Sequence, residues 1–200
     1  MKLEGKRVLR LPSKEPLRED GAGTMEFRAV EDRLGDAVNV APPSSLRERL
    51  MGTVSKTHRF PDFEERVATL VELPLEKIRE FMLGIDTKEP WLPGPIPGMD
   101  FFHFEGGASV KNAITGFTRI APGITFPEHE HVGEECVLVM QGSFRDADGE
   151  EHGVGDEVWL PADSSHTFEV TSKIPLLYLA IVQGGLRVGG VLIPPGDPRA

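Results

Sequence analysis

The sequence predicts a mainly β protein, a sandwich or small barrel of seven or eight short strands behind a helical hairpin and an irregular N-terminal arm. Three observations predict it. From Met99 onward, short strand-like runs alternate with Gly, Pro and Asp turns. Between Asp62 and Ile85, apolar residues recur at the helical spacing. Before residue 44 neither period is sustained, and Gly, Pro and alternating charges dominate.

Taken in order, the arm of residues 1–43 offers two short candidate strands, Arg7–Leu11 and Met25–Val30. Pro42-Pro43-Ser44-Ser45 opens a short helix, Leu46 to Met51, with Ser44 or Ser45 as N-cap. In the next segment Phe63, Val67, Leu70 and Val71 share one helical face, with Asp62 placed as a cap. Leu75, Ile78, Phe81, Met82 and Ile85 do the same after Pro74, which suits a first helical turn, and Gly84 ends the pattern. Both stripes read as core-facing. Glu89–Gly98 (EPWLPGPIPG) reads as a linker, so residues 44–98 form a helical and Pro-rich segment.

Residues 99–193 form the β domain. Its expected strands are Asp100–Glu105, Ala113–Ile120, Ile124–His131, Glu135–Met140, Glu157–Leu160, Thr167–Thr171, Leu176–Val182 and Leu186–Ile193. Asp148-Gly149 signals a hairpin turn. Residues 194–200 are a Pro-rich tail expected to fray.

Composition narrows the function classes. The formal charge is −10, and residues 101–200 carry six basic against fourteen acidic side chains. A phosphate backbone would be repelled there, so no nucleic-acid partner is expected for that half. The apolar run from Ile174 to Val182 contains Pro175 and is too short to span a bilayer, so no membrane association is expected. The N-terminus lacks an apolar signal core, and a cytoplasmic location is the default expectation. A single cysteine, Cys136, excludes an internal disulfide and a cysteine-based zinc site.

Chemistry concentrates in GITFPEHEHVGEECVLVMQG, Gly123 to Gly142. On an extended backbone His129 and His131 point to one face, and Glu135 keeps their parity. Glu134 has the opposite parity and reads as a solvent-facing charge. His166, after the turn that begins at Pro161, is the expected fourth ligand. Three imidazoles and a carboxylate suit one divalent ion of the Zn, Fe, Mn, Ni or Co group, whereas calcium or magnesium would want more oxygens. The remaining histidines read as non-ligands: His58 and His152 as surface residues, His103 as structural. Cys136, opposite in parity to Glu135, reads as a buried, inert thiol. Trp159 and Phe168 read as core.

Two patterns carry a resemblance. Gly123-x5-His129-x-His131-x3-Glu135-x6-Gly142 matches the first cupin motif at every fixed position. Gly155-x5-Pro161-x-Asp163-x2-His166 resembles the second, with Asp163 where the family usually has Gly and Val170 where it often has Asn. The resemblance implies a cupin jelly-roll β-barrel over residues 99–193, with the metal inside. More narrowly, the stretch from Pro127 to Val170 is similar to the C-terminal cupin of ChrR-type anti-sigma factors, which favours zinc. The PPSSLRERLM segment and the helices extend that likeness to about residues 42–190. Such anti-sigma factors hold their sigma factor through a helical zinc domain with a His-x3-Cys-x2-Cys cluster. Residues 1–50 here contain no His and no Cys, so that cluster is not recognisable.

The resemblance implies a regulatory or sensory protein with a sigma factor or another regulatory protein as partner, and a homodimer. A metal-dependent dioxygenase, or a related lyase or isomerase acting on a small-molecule ligand, is the alternative. A metal-free ligand-binding cupin is the third class.

Overall fold

A computed structural model describes residues 4–10, 43, 45–46 and 58–197. The expected strand Met25–Val30, the caps at Ser44, all but Leu46 of the expected helix Leu46–Met51, and residues 198–200 lie outside the described residues. Residues 12–57 form a unit separate from the rest.

Two antiparallel sheets make up the remainder. One has the order β1 (Arg7–Arg10), β9 (Asp156–Leu160), β6 (Glu135–Gln141), β11 (Leu176–Gln183), β4 (Ala113–Ile120), β3 (Met99–His103) and β2 (Leu92–Pro93). The other runs β13 (Val191–Ile193), β12 (Leu186–Val188), β5 (Thr125–His131), β10 (Ser165–Val170), β7 (Phe144–Asp146) and β8 (Glu151–His152). The expected jelly roll is thus present as two antiparallel sheets, and among the described residues no backbone ladder joins the two. The expected linker at Glu89–Gly98 contains an edge strand, with Leu92 opposite Phe101. Pro93 is tolerated there because a sheet edge needs hydrogen bonds on only one side. The expected strand Leu186–Ile193 is a hairpin of β12 and β13.

The larger sheet is covered on both faces, which explains the unbroken apolar runs of β6 and β11. Cys136, Leu138 and Met140, with Leu177, Leu179 and Ile181, face one cluster that includes the helices. Val137 and Val139, with Leu176, Tyr178, Ala180 and Val182, face the other sheet. Helices α1 (Glu64–Val71) and α2 (Leu75–Gly84) bury Val67, Val71, Ile78 and Met82 against the first cluster, as their spacing predicts. Arg66 on α1 pairs with the buried carboxylate of Glu157 on β9, which also accepts the Trp159 indole N–H at 2.6 Å. Asp62 is not the expected cap. It sits in a 3-10 turn, Pro61–Phe63, and no side chain caps α1. His58 at the turn's entrance is not a surface residue: its Nδ1 accepts the Phe60 N–H at 3.1 Å and its Nε2 donates to Glu64 at 2.9 Å.

Backbone strain marks the two motif ends that the fold must turn. Gly142 has φ 77°, and an added Cβ would lie 2.6 Å from Ser172 Oγ, so only glycine fits. Asp163 has φ 60°, a left-handed conformation that Asp tolerates better than most residues. Its turn is tied to β5 by two bonds, Asp163 N–H to His131 O and His131 N–H to Ser164 O, both 2.9 Å. Asp163→Gly is therefore expected to change stability by less than about 1 kcal/mol. Asp163→Val should destabilise by about 1–2 kcal/mol. Denaturant titration of both variants checks this, and equal stabilities would contradict the strain argument.

Candidate metal centre

His129 and His131 end β5, His166 lies on β10, and Glu135 begins β6. β5 and β10 pair directly, with His129 opposite His166. A register shift lies between that pair and Phe168–Phe126, where two residues of β5, Pro127 and Glu128, face one of β10, Thr167. The extra residue is a bulge, and it allows Phe126 and His129, three apart, both to be buried between the sheets. Glu135 belongs to the other sheet. The parity shared with His129 and His131 therefore does not put Glu135 on their strand pair: the carboxylate reaches the histidines across the gap between sheets. The crossing is made by Val132–Glu134, held by Val132 N–H to Gly185 O and Gln183 N–H to Glu134 O.

One potential ligand atom from each of the four buried residues lies within 4.8 Å of the others. The Glu135 Oε2 atom is 2.8 Å from His131 Nε2 and 3.6 Å from His166 Nε2, which is in turn 3.1 Å from His129 Nε2. Every Nδ1 is engaged elsewhere. That of His129 donates to the Pro127 carbonyl at 3.0 Å, and that of His166 to Asp146 Oδ1 at 3.1 Å. The His131 Nδ1 meets Ser164 Oγ at 3.0 Å, and since that hydroxyl gives its only proton to the Pro161 carbonyl, it can only accept from the ring. A protonated Nδ1 leaves each Nε2 with a lone pair.

Four lone-pair-bearing atoms this close repel one another unless a proton or a cation lies among them. Accordingly His131 Nε2 and Glu135 Oε2, though adjacent, are buried without a hydrogen bond. Burial and the neighbouring His166 push His129 down to about 4. Burial also depresses His166, but the hydrogen bond to Asp146 and the nearby charge of Glu135 outweigh it and lift the ring to about 9. Glu135 is held well below the usual carboxylate range, its burial outweighed by His131 and His166. The donor set therefore fits a divalent ion, with outer partners already fixing each ring as metal-bound histidines require.

Glu134 faces outward, half exposed, on Arg7 at 2.8 Å. Cys136 is buried on the sheet's other face, and burial, reinforced by Glu157 and Glu135, pushes its thiol far up. Native protein is expected not to react with a thiol reagent until it unfolds. One equivalent reacting within minutes in buffer would contradict this. Trp159 is half-buried beside the helix cluster, while Phe168 is in the core and also lines a cavity.

That cavity, of about 70 Å³, lies against the cluster. His129 and Glu135 form part of its wall, and Phe126, Phe168, Tyr178 and Val182 much of the remainder. His103, expected to be structural, is exposed and reaches its lining.

Sequence reading missed the layer behind His166. Asp146, at the end of β7, is fully buried and takes His152 Nε2 at 3.2 Å on its second oxygen. His152 is buried rather than on the surface as expected, because β8 turns it inward beside Phe144. Lys6 reaches the same carboxylate oxygen from the N-terminal arm. The one signal available was Phe144-Arg145-Asp146 just before the Asp148-Gly149 turn, a strand too short for periodicity to detect.

Facing antiparallel sheets with this His, His, Glu and His cluster between them define a cupin. The chain belongs to the ChrR cupin-like domain family, whose profile matches residues 80–184, more than half of its length. Among solved structures it is similar to that of Rhodobacter sphaeroides SigE in complex with the anti-sigma ChrR. The identity there is 23%, over 82% of this chain and 80% of that one, with a TM-score of 0.45. It is also similar to an acetylacetone dioxygenase from Acinetobacter johnsonii, at 13% identity over 56% of this chain and 83% of that one, with a TM-score of 0.46. A third likeness is to a cupin-like protein of unknown function from Ralstonia eutropha JMP134, at 20% identity and a TM-score of 0.43; 48% of this chain matches 65% of that protein's length. No curated protein sequence matches this chain.

Proposed function

We propose that this chain binds one divalent metal ion through His129, His131, Glu135 and His166, zinc being favoured, and that it is a regulatory or sensory protein acting on a protein partner of the sigma-factor class. The observation that carries the metal assignment is the convergence of three Nε2 lone pairs and a buried carboxylate, each ring fixed from behind. Membership of the ChrR cupin-like family supports the regulatory reading. When bound, the ion would supply a Lewis-acidic centre that could take a ligand or oxidant by expanding beyond its four protein donors. The chain's own residues orient the imidazoles through Pro127, Ser164 and Asp146, and keep water from one side with Phe126 and Phe168. The helical pair α1–α2, packed on the sheet that carries Glu135, is the element through which a change at the centre would reach a partner.

Elemental analysis of anaerobically purified protein, together with affinity purification from native cells, tests this reading. One equivalent of zinc and a stoichiometric regulatory partner are expected. Recovery of neither would overturn it.

A second reading, a metal-dependent oxygenase or related enzyme, is favoured by the apolar cavity that His129 and Glu135 help to line. Metal identity separates the two. Octahedral iron or manganese leaves two positions open beside four protein ligands, whereas tetrahedral zinc is filled by them. Zinc at one equivalent with no exchangeable water would count against the enzyme.

A further inference from the structure

We infer that the N-terminal strand and the metal centre are thermodynamically coupled through Lys6, so that docking of β1 and binding of the metal strengthen each other. The inference rests on the metal assignment proposed above. Among the described residues, β1 is a four-residue edge strand that pairs only with β9, with Arg7, Leu9 and Arg10 exposed. Such a strand is weakly held. Lys6, just before it, is the exception: its side chain is 5% exposed and its ammonium is hydrogen-bonded to Asp146 Oδ2. Asp148 Oδ2 and Glu150 Oε2 lie 3.3 Å from the same nitrogen.

Asp146 is the hinge of the coupling. It is fully buried, one oxygen takes Lys6 and His152, and the other takes His166 Nδ1. From the arm to a ligand ring there are thus two hydrogen bonds and one carboxylate. A buried carboxylate stripped of its cation must find compensation from its remaining partners, here His152 and His166, and an imidazole whose rear partner is disturbed binds metal less well, typically by about 10–100-fold. Lys6 is a positioning residue in this scheme, since it touches no ligand atom. By linkage, whatever β1 gives the metal the metal returns to β1 by the same factor.

The test uses the full chain and zinc. Competition with a chromophoric chelator measures affinity for wild type, Lys6→Met and the surface control Lys77→Ala, on α2 and exposed beside Glu80. Hydrogen exchange of the amides of residues 7–10, with and without zinc, measures docking. The coupling predicts about a 10-fold loss of affinity in Lys6→Met, none in Lys77→Ala, and zinc-dependent protection of β1 amides of matching size in wild type and Lys77→Ala but not in Lys6→Met. Wild-type exchange needs no variant to fold. Equal affinities of wild type and Lys6→Met, or exchange at β1 indifferent to zinc, would overturn the coupling while leaving the metal site intact. Failure of wild type to bind zinc at all would overturn the metal assignment and the coupling with it.

Discussion

His166→Ala is expected to lower zinc affinity by more than the roughly 100-fold that marks the upper end for losing an outer partner. The ring supplies one of four converging donors, and its Nε2 stands 3.1 Å from that of His129 and 3.6 Å from Glu135. Nothing nearby replaces it, because Asp146 lies behind the ring and is occupied by Lys6 and His152. Wild type should also melt at a higher temperature in zinc, since a ligand at about 1,000 times its dissociation constant stabilises by about 4 kcal/mol. That rise should vanish in the variant and persist in Glu134→Ala, whose carboxylate faces Arg7 outside. Chelator competition and thermal melts with and without zinc measure both effects. A His166→Ala protein that keeps one tightly held equivalent would refute the ligand set.

Phe117→Ala is expected to cost about 3–5 kcal/mol of stability. The ring lies on β4 with no exposed surface, where the larger sheet meets α1 and α2. It packs edge-on to Phe102 at 5.8 Å and against Phe104 at 5.4 Å. The void left by truncation cannot easily collapse, because the sheet on one side is pinned by full ladders to β3 and β11. Denaturant unfolding reads the loss directly. Zinc stoichiometry of the folded fraction should be unchanged, since Phe117 and the cluster lie on opposite faces of the sheet. A loss below about 1 kcal/mol would mean the helices are not held by this core.

Much of the fold is legible in the sequence because each strand's pattern reflects local burial. Ala113–Ile120 matches the observed strand at both ends, and Leu176 and Glu135 are correct starts. The misses have local causes too. β7 and β8 are three and two residues long, too short to show alternation. Glu89–Gly98 reads as a linker because an edge strand can carry Pro93. His58 and His152 read as surface residues because a lone histidine carries no periodic signal, and only their partners, Glu64 and Asp146, make burial tolerable.

What the sequence determined alone is the set of candidate ligand types and their order: His129, His131, Glu135 and His166 at spacings that place them on one side, and Cys136 on the other face of its sheet. Strand parity is a property of consecutive residues, so it is written in the chain. What only the tertiary structure decided is where those side chains meet and what stands behind them. Glu135 reaches the histidines from a different sheet, and the bulge in β5 aims His129 inward. Asp146 and Lys6 join the site from 20 and 160 residues away from His166. Contacts between elements remote in sequence depend on sheet order and register, which no local pattern encodes.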